Sequence, residues 1–417
     1  MGRRRYAGRV NQDRPHPPRR STSLLRGIRV SDSSHRVTTF ELFFDLVFVF
    51  AFTQVTAFMA YAHSAIGILQ AMIILALLWW SWTAYSWLAN QTHVDEGIVR
   101  LGMAIAMGAM FIIALSIPEA FDDLPGGLSA PVVLAVAYGV VRLMHLVLYL
   151  LAAREDRPLQ RQILRTSLAW WIGMAFIVVG ALLGGPLQTW LWLIGLAVDI
   201  TLTWVTSTGG DWRLQSPAHW SERYGLVVIL ALGESIVAIG VGAAELPISA
   251  PIVVAALLGI TLSICLWWLY FDVMAIAAEH ALSALDGVPR VQMATLGYTY
   301  LHLPLIAGVV ISALGVEEVL AHTDDPEPFG LFGACALLGG TALYLAGHAL
   351  FWRAVGRTWK VWRLGGATLL VALIPVVASI PPIAALVVVV AICLALVVVE
   401  TTRYAETRAH VRSSNGR

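Results

Sequence analysis

Apolar residues along this chain neither alternate nor keep to one helical face. They fill whole runs, each about as long as the ~20 residues a helix needs to cross a bilayer core. Six runs fall near 40–60, 65–89, 98–117, 130–152, 167–184 and 187–208, and six more near 223–243, 250–272, 293–313, 329–350, 365–379 and 382–400. Gly184-Gly185-Pro186 and Pro381-Pro382 separate the fifth and sixth runs of the two sets, which predicts two tight helical hairpins. The pattern predicts an all-α, polytopic membrane protein of about twelve transmembrane helices, the 365–379 span being the shortest.

Composition agrees with lipid as the solvent. Of the 417 residues 58% are hydrophobic and 13% charged, with a mean hydropathy of +0.76, too little polar surface for a water-soluble globule of this size. Cys265, Cys335 and Cys393 stand singly in apolar runs, which suggests neither a disulfide framework nor a metal site. Charge is more informative by position than in total. On the twelve-helix map, 26 of the 27 basic residues fall on one side and Arg142 alone lies inside a span, while acids such as Glu119, Asp122, Glu245, Glu317, Glu318 and Asp325 collect on the other side. Lys and Arg accumulate in cytoplasmic loops, so both termini are expected in the cytoplasm and the protein in the cytoplasmic membrane. Residues 1–39, with ten arginines against two aspartates, read as a disordered basic tail that sets topology, the alternative being contact with anionic lipid or nucleic acid, and 401–417 as a second basic tail.

The two sets of spans resemble each other. Both begin with a Glu at the inner edge, Glu41 and Glu222; the second spans share Trp79-Trp80 and Trp267-Trp268, the fourth spans His145 and His348, the inner ends of the sixth spans an acid, Asp199 and Glu400. In both sets an acidic outer connection joins the third and fourth spans. Six is even, so residues 40–208 and 209–400 are expected to be two parallel six-helix repeats.

Ionisable groups inside a span cost several kcal/mol unless paired or hydrated, which makes each a candidate site. Glu41 and Asp45 stand at i, i+4 on one face of the first helix, with Gln54 farther along. Glu234 lies eleven residues into the seventh span, about 16 Å along its axis and near midplane. Arg142 and His145 share a face of the fourth helix, and Arg142 needs a carboxylate, for which Asp45 and Glu234 are the expected partners. Such a pair is either a fixed bridge or a titrating site. His302 precedes Pro304, so its helix is either broken to line a cavity or merely kinked around a hydrogen-bonded histidine. Asp199 and Asp272 sit near inner helix ends, within reach of water. No nucleotide-binding glycine motif, zinc motif or conspicuous nucleophile is present, so no cofactor, no enzymatic activity and no nucleic-acid partner is expected.

Two segments carry a likeness to a known family. "VTTFELFFDLVFVFAFTQVT" at 37–56 and "HWSERYGLVVILALGESIVAIG" at 219–240, with "YLHLPLIAGVV" at 300–310, resemble the signatures of the bacterial low-temperature-requirement A (LtrA) family. The likeness spans about 35–405 and takes in Glu41, Asp45, Glu222, Glu234 and His302. It implies a multi-pass membrane protein linked to growth in the cold. Phe43-Phe44-Asp45 also approximates the Phe-Ser-Asp motif of potassium channels built from two six-helix repeats, but Tyr224-Gly225-Leu226 in the second set lacks the acid, so that likeness is one of architecture. The expected function is movement of a small solute or ion, linked to protons or cations; the alternative is a membrane sensor or scaffold in cold adaptation.

Overall fold

A computed structural model describes residues 35–403 apart from 96, 208–209, 245–246 and 324–326. The basic tails 1–34 and 404–417 lie outside the described residues. The helices in order are α1 (Thr39–Ala62), α2 (Ala65–Gln91), α3 (Gly97–Ser116), α4 (Ala130–Ala152), α5 (Arg157–Leu183), α6 (Gly185–Ser207), α7 (Pro217–Ala244), α8 (Ala250–Phe271, resumed as Met274–Ser283), α9 (Gly287–Ala321), α10 (Gly330–Gly356), α11 (Val361–Val377) and α12 (Pro382–Arg403). Among the described residues eleven helices are long and apolar enough to cross a membrane, and α11, with 17 residues, is a shorter apolar twelfth. Leu42, Phe43 and Leu46 on α1 and Leu182 and Leu183 on α5 are among many large apolar side chains left exposed. Surface of this kind is covered by lipid in a membrane protein.

Several helices begin before their apolar runs because polar residues cap them. Thr38 Oγ1 accepts from the Glu41 N–H at 3.3 Å while Glu41 Oε1 accepts from the Thr38 N–H at 3.1 Å, a capping box that starts α1. Asp156 Oδ1 accepts the Leu159 N–H at 3.1 Å, so α5 starts ten residues ahead of its apolar run and carries Arg157, Arg161 and Arg165 in its first turns. At the Gly184–Gly185 hairpin both glycines take positive φ, 65° and 60°, a conformation that strains any other residue.

Within the first six helices α1 touches α2 and α3, α2 touches α4 and α6, and α3, α4, α5 and α6 are neighbours in order. The same relations recur in the second six: α7 touches α8 and α9, α8 touches α10 and α12, and α9 to α12 follow in order. Between the sets, α1 and α2 pack on α7 and α9, and α2 and α9 are the most enclosed helices. Alpha-carbon backbones approach closely where α9 crosses α10. A Cβ on Gly308 would stand 2.4 Å from the Tyr344 nitrogen, and one on Gly340 2.4 Å from the Ser312 nitrogen, so only glycine fits either position.

The α9 helix is irregular before that crossing. Ala294–Tyr300 is π-helical, and the Leu301 N–H reaches back five residues to the Leu296 carbonyl at 3.1 Å. Pro304 has no N–H with which to close an ordinary turn onto Tyr300, and the wider turn absorbs the mismatch. Glu317 and Glu318, expected in an outer connection, instead belong to the last turns of α9. There Glu318 faces His63, which caps α1 in a left-handed conformation, at 3.5 Å.

Candidate functional site

Two i, i+4 pairs interlock where α1 meets α7. Glu41 and Asp45 on α1 face His219 and Arg223 on α7, and all four side chains are fully buried. Arg223 donates from Nη1 to Asp45 Oδ2 at 2.7 Å and from Nη2 to Asp45 Oδ1 at 3.0 Å, and its Nε lies 3.4 Å from Glu41 Oε2. Trp82 Nε1 donates to Asp45 Oδ1 at 3.0 Å, and the guanidinium lies 5.3 Å from the Trp82 ring centroid. The charge pattern along the chain places Arg223 in an inner connection. The structure corrects this: α7 begins at Pro217, and Arg223 is therefore well inside a helix.

The protonation of His219 follows from its neighbours. Asn90 Oδ1 accepts from the backbone N–H groups of Gln215 at 2.8 Å and Ser216 at 3.4 Å, which turns its NH2 toward the Ser216 carbonyl and His219 Nδ1, the latter at 3.3 Å. Nδ1 is then an acceptor, and His219 Nε2 carries the proton donated to Glu41 Oε2 at 2.9 Å. Two carboxylates thus face one guanidinium and one neutral imidazole, and the centre holds either a net negative charge or one proton. His35, before α1, stacks on His219 at 4.7 Å between ring centroids. Burial pushes its pKa below the ordinary value. His35, Glu41 and His219 offer ligand atoms within 4.8 Å of one another, a set the sequence reading did not anticipate. A metal there would have to replace the His219 proton and reverse the hydrogen bond set by Asn90.

Arg142 does not meet Asp45 or Glu234. Its Nη2 donates to Asp199 Oδ2 on α6 at 2.8 Å, and Thr203 Oγ1 donates to the other Asp199 oxygen at 3.1 Å. The guanidinium lies 4.6 Å from the Trp170 ring centroid on α5. Asp45 is unavailable because Arg223 and Trp82 occupy both of its oxygens, and the face of α4 that carries Arg142 and His145 is turned toward aromatic rings, Trp170 at 5.1 Å from His145 among them. The expected single cluster of Asp45, Arg142, His145 and Glu234 is therefore divided among separate partners.

A third buried arginine serves the second six helices. Arg363 on α11 holds Glu400 on α12 with two bonds of 2.7 Å, donates to the Leu269 carbonyl at 2.9 Å, and contacts His348 Nδ1. His348 Nε2 lies 3.2 Å from the Tyr344 hydroxyl. In each set of six a histidine of the fourth helix and an acid of the sixth thus accompany a buried arginine, which comes from the fourth helix in one set and the fifth in the other. The matched positions of Asp199 and Glu400 were the available signal. Arg363 was assigned to a connection because its charge lies just ahead of the apolar run.

Glu234 stands apart. It is fully buried, Thr56 Oγ1 donates to its Oε1 at 2.9 Å, and its Oε2 has no hydrogen-bond partner among the described residues. No ion pair to it is formed among them either. Glu222 is part-exposed and accepts from the Val37 N–H at 3.3 Å, with Arg36 at 3.9 Å. Gln54 is part-buried on α1. Asp272 is buried at the break in α8. His302 bonds to the Gly297 carbonyl through Nδ1 at 3.1 Å and accepts from the Tyr270 hydroxyl at Nε2, 2.9 Å away. It is thus the hydrogen-bonded histidine of an irregular helix.

Comparison with known proteins gives a consistent picture. Residues 36–398 match the family described as Bacterial low temperature requirement A protein (LtrA). An uncharacterized protein of Rhizobium meliloti (strain 1021) is 32% identical over 353 residues, covering 81% of this chain and 83% of the relative. No solved structure matches.

Proposed function

The chain belongs to the bacterial low temperature requirement A family of membrane proteins, and from this premise we propose that it moves a proton or small cation, alone or linked to a small solute, with Glu234 as the carrying carboxylate. One observation supports this above the others: among the described residues Glu234 is buried without a cationic partner while Arg142, Arg223 and Arg363 are each committed to other acids. An ionised carboxylate alone in a span costs several kcal/mol, so the group must hold a proton or a cation whenever it is closed off. A group that binds such a charge and must exchange it with water is what coupled movement requires. Thr56 on α1 holds one oxygen and leaves the other open, so α1 and α7 sliding past each other would alter the exposure of the site. The arginine pairs, with their acceptors filled, act as fixed struts around it. On this reading the protein is a carrier or pathway and not an enzyme, it sits in the cytoplasmic membrane with both termini inside, and residues 40–208 and 209–400 are its two halves.

Purified full-length protein in proteoliposomes, with a trapped pH dye and imposed proton, sodium or potassium gradients, tests the proposal. Flux is expected with the native chain, loss with Glu234→Gln, and reduction with Thr56→Val. Absence of flux under all three gradients, or native flux in Glu234→Gln, would overturn it, and the former result would favour the sensor or scaffold role.

A further inference from the structure

A cavity separate from Glu234 lies between α2, α4, α5 and α6, closed on one side by α9 and reaching the α6–α7 connection at Trp212. Seven of its fifteen lining residues are aromatic, among them His145 and the indoles of Trp80, Trp87, Trp170 and Trp212, and most of the others are threonines. Five polar atoms in its lining residues are buried without a hydrogen-bond partner among the described residues: Arg142 Nε, Trp212 Nε1, the Tyr149 hydroxyl and both ring nitrogens of His145. Orphaned buried polar groups are rare in folded proteins, and several around one space point to an occupant that supplies acceptors to Arg142 Nε and Trp212 Nε1 and can also meet the His145 ring, which offers a donor and an acceptor when neutral. The irregular part of α9 supplies an independent observation. The π-helical stretch Ala294–Tyr300 brings Thr295, Thr299 and Tyr300 into the lining, and such bulges recur where a helix serves a site.

We infer that this cavity is a binding site for a small, neutral, planar heteroaromatic compound bearing carbonyl or ring-nitrogen acceptors. Planarity follows from the indole walls, which favour stacking. Neutrality follows from charge: Asp199 already balances Arg142 across 2.8 Å, so a charged ligand would enter a low-dielectric space with no counter-ion. The acceptors follow from the donor set, because Arg142 Nε and Trp212 Nε1 can only donate. Size follows from the space that water centres can occupy, about 70 Å³, room for roughly five waters and so for one substituted ring. This site does not depend on Glu234 carrying a cation; it binds its ligand whether or not the protein moves it.

The test is equilibrium binding to full-length protein in lipid nanodiscs with nicotinamide as the probe, toluene as a ring without acceptors and benzoate as its charged counterpart. Nicotinamide is expected to bind saturably at one site per chain, and toluene and benzoate at least about tenfold more weakly. The variant Tyr149→Phe combined with Trp212→Phe keeps an aromatic ring at each position, removes two donors and narrows one indole wall to a phenyl ring, and should weaken nicotinamide at least about tenfold while its size-exclusion profile and thermal midpoint stay native. Glu234→Gln should bind nicotinamide normally, which separates this inference from the proposed cation pathway. Failure of nicotinamide to saturate, equal or tighter binding of benzoate or toluene, or undiminished binding by a well-folded double variant would each overturn the assignment and leave a cavity filled with water only.

Discussion

Asp45 and Arg223 are bound so completely to each other that removing one leaves the other charged and without water. Arg223→Gln should lower stability by about 3–5 kcal/mol, read as a fall in the thermal midpoint of detergent-purified protein. Asp45→Asn combined with Arg223→Gln should recover part of that loss and not all of it, since Asp45 no longer carries a stranded charge while Glu41 still lacks its cation. His35 makes a different prediction. Its pKa is lowered in the folded chain, so the folded state binds fewer protons than the unfolded state. Its contribution is complete above the ordinary imidazole value of about 6.5 and declines as the pH falls through that value. The thermal midpoint should drop between pH 7.5 and 5.5, and His35→Gln should drop less. At this scale the sequence placed Glu41 and Asp45 on one face correctly, because i, i+4 spacing is a property of the helix itself. It did not place Arg223 opposite them, because a charge beside a predicted connection carries no sign that the helix begins earlier.

Helix contacts obey a stricter rule than side-chain pairs, since a backbone cannot rotate out of the way. At the α9–α10 crossing a Cβ on Gly308 or Gly340 would meet backbone nitrogen at 2.4 Å, whereas one on Gly339 meets nothing within 4 Å. Gly308→Val or Gly340→Val should therefore force the helices apart, with a cost of at least about 1–3 kcal/mol and loss of monodisperse protein. Gly339→Ala should purify as the native chain does. A monodisperse, native-like Gly308→Val would show that the two helices do not cross as closely as described. The π-helical turn of α9 was visible in the sequence only as Pro304 after His302. Proline announces that a turn cannot close normally, but whether the chain kinks or widens depends on what its neighbours accept.

For the molecule as a whole, the neighbour relations of α1 to α6 recur in α7 to α12. If the two sets arose by duplication, they should superpose by rotation about an axis near the membrane normal. An in-plane axis would contradict it. The charge asymmetry makes a prediction in cells: single cysteines placed at Asp122 in a cysteine-free background should react with an impermeant thiol reagent from outside, and ones at Arg157 should not. Labelling at Arg157 in intact cells would reverse the proposed orientation. Cys265 and Cys393 are buried and Cys335 is exposed in α10, so the native thiols must be removed first.

The sequence by itself determined the solvent, the all-helical polytopic class and the order of the helices, the tight hairpin at Gly184–Gly185 and the family; of the twelve spans it predicts, eleven are long enough to cross and α11 is shorter. Each of these rests on local runs of residues, which hydrophobic length and turn chemistry specify without reference to the rest of the chain. It also marked most of the buried ionisable groups, because a charge within an apolar run stands out wherever it lies. Only the tertiary structure decided their partners: Arg142 with Asp199, Arg223 with Asp45 and Glu41, Arg363 with Glu400, and, among the described residues, Glu234 with Thr56 alone. Depth along a helix can be counted from sequence, but which neighbour a helix face meets is set by how the bundle packs, and a long arginine side chain pairs with whichever carboxylate that packing leaves open.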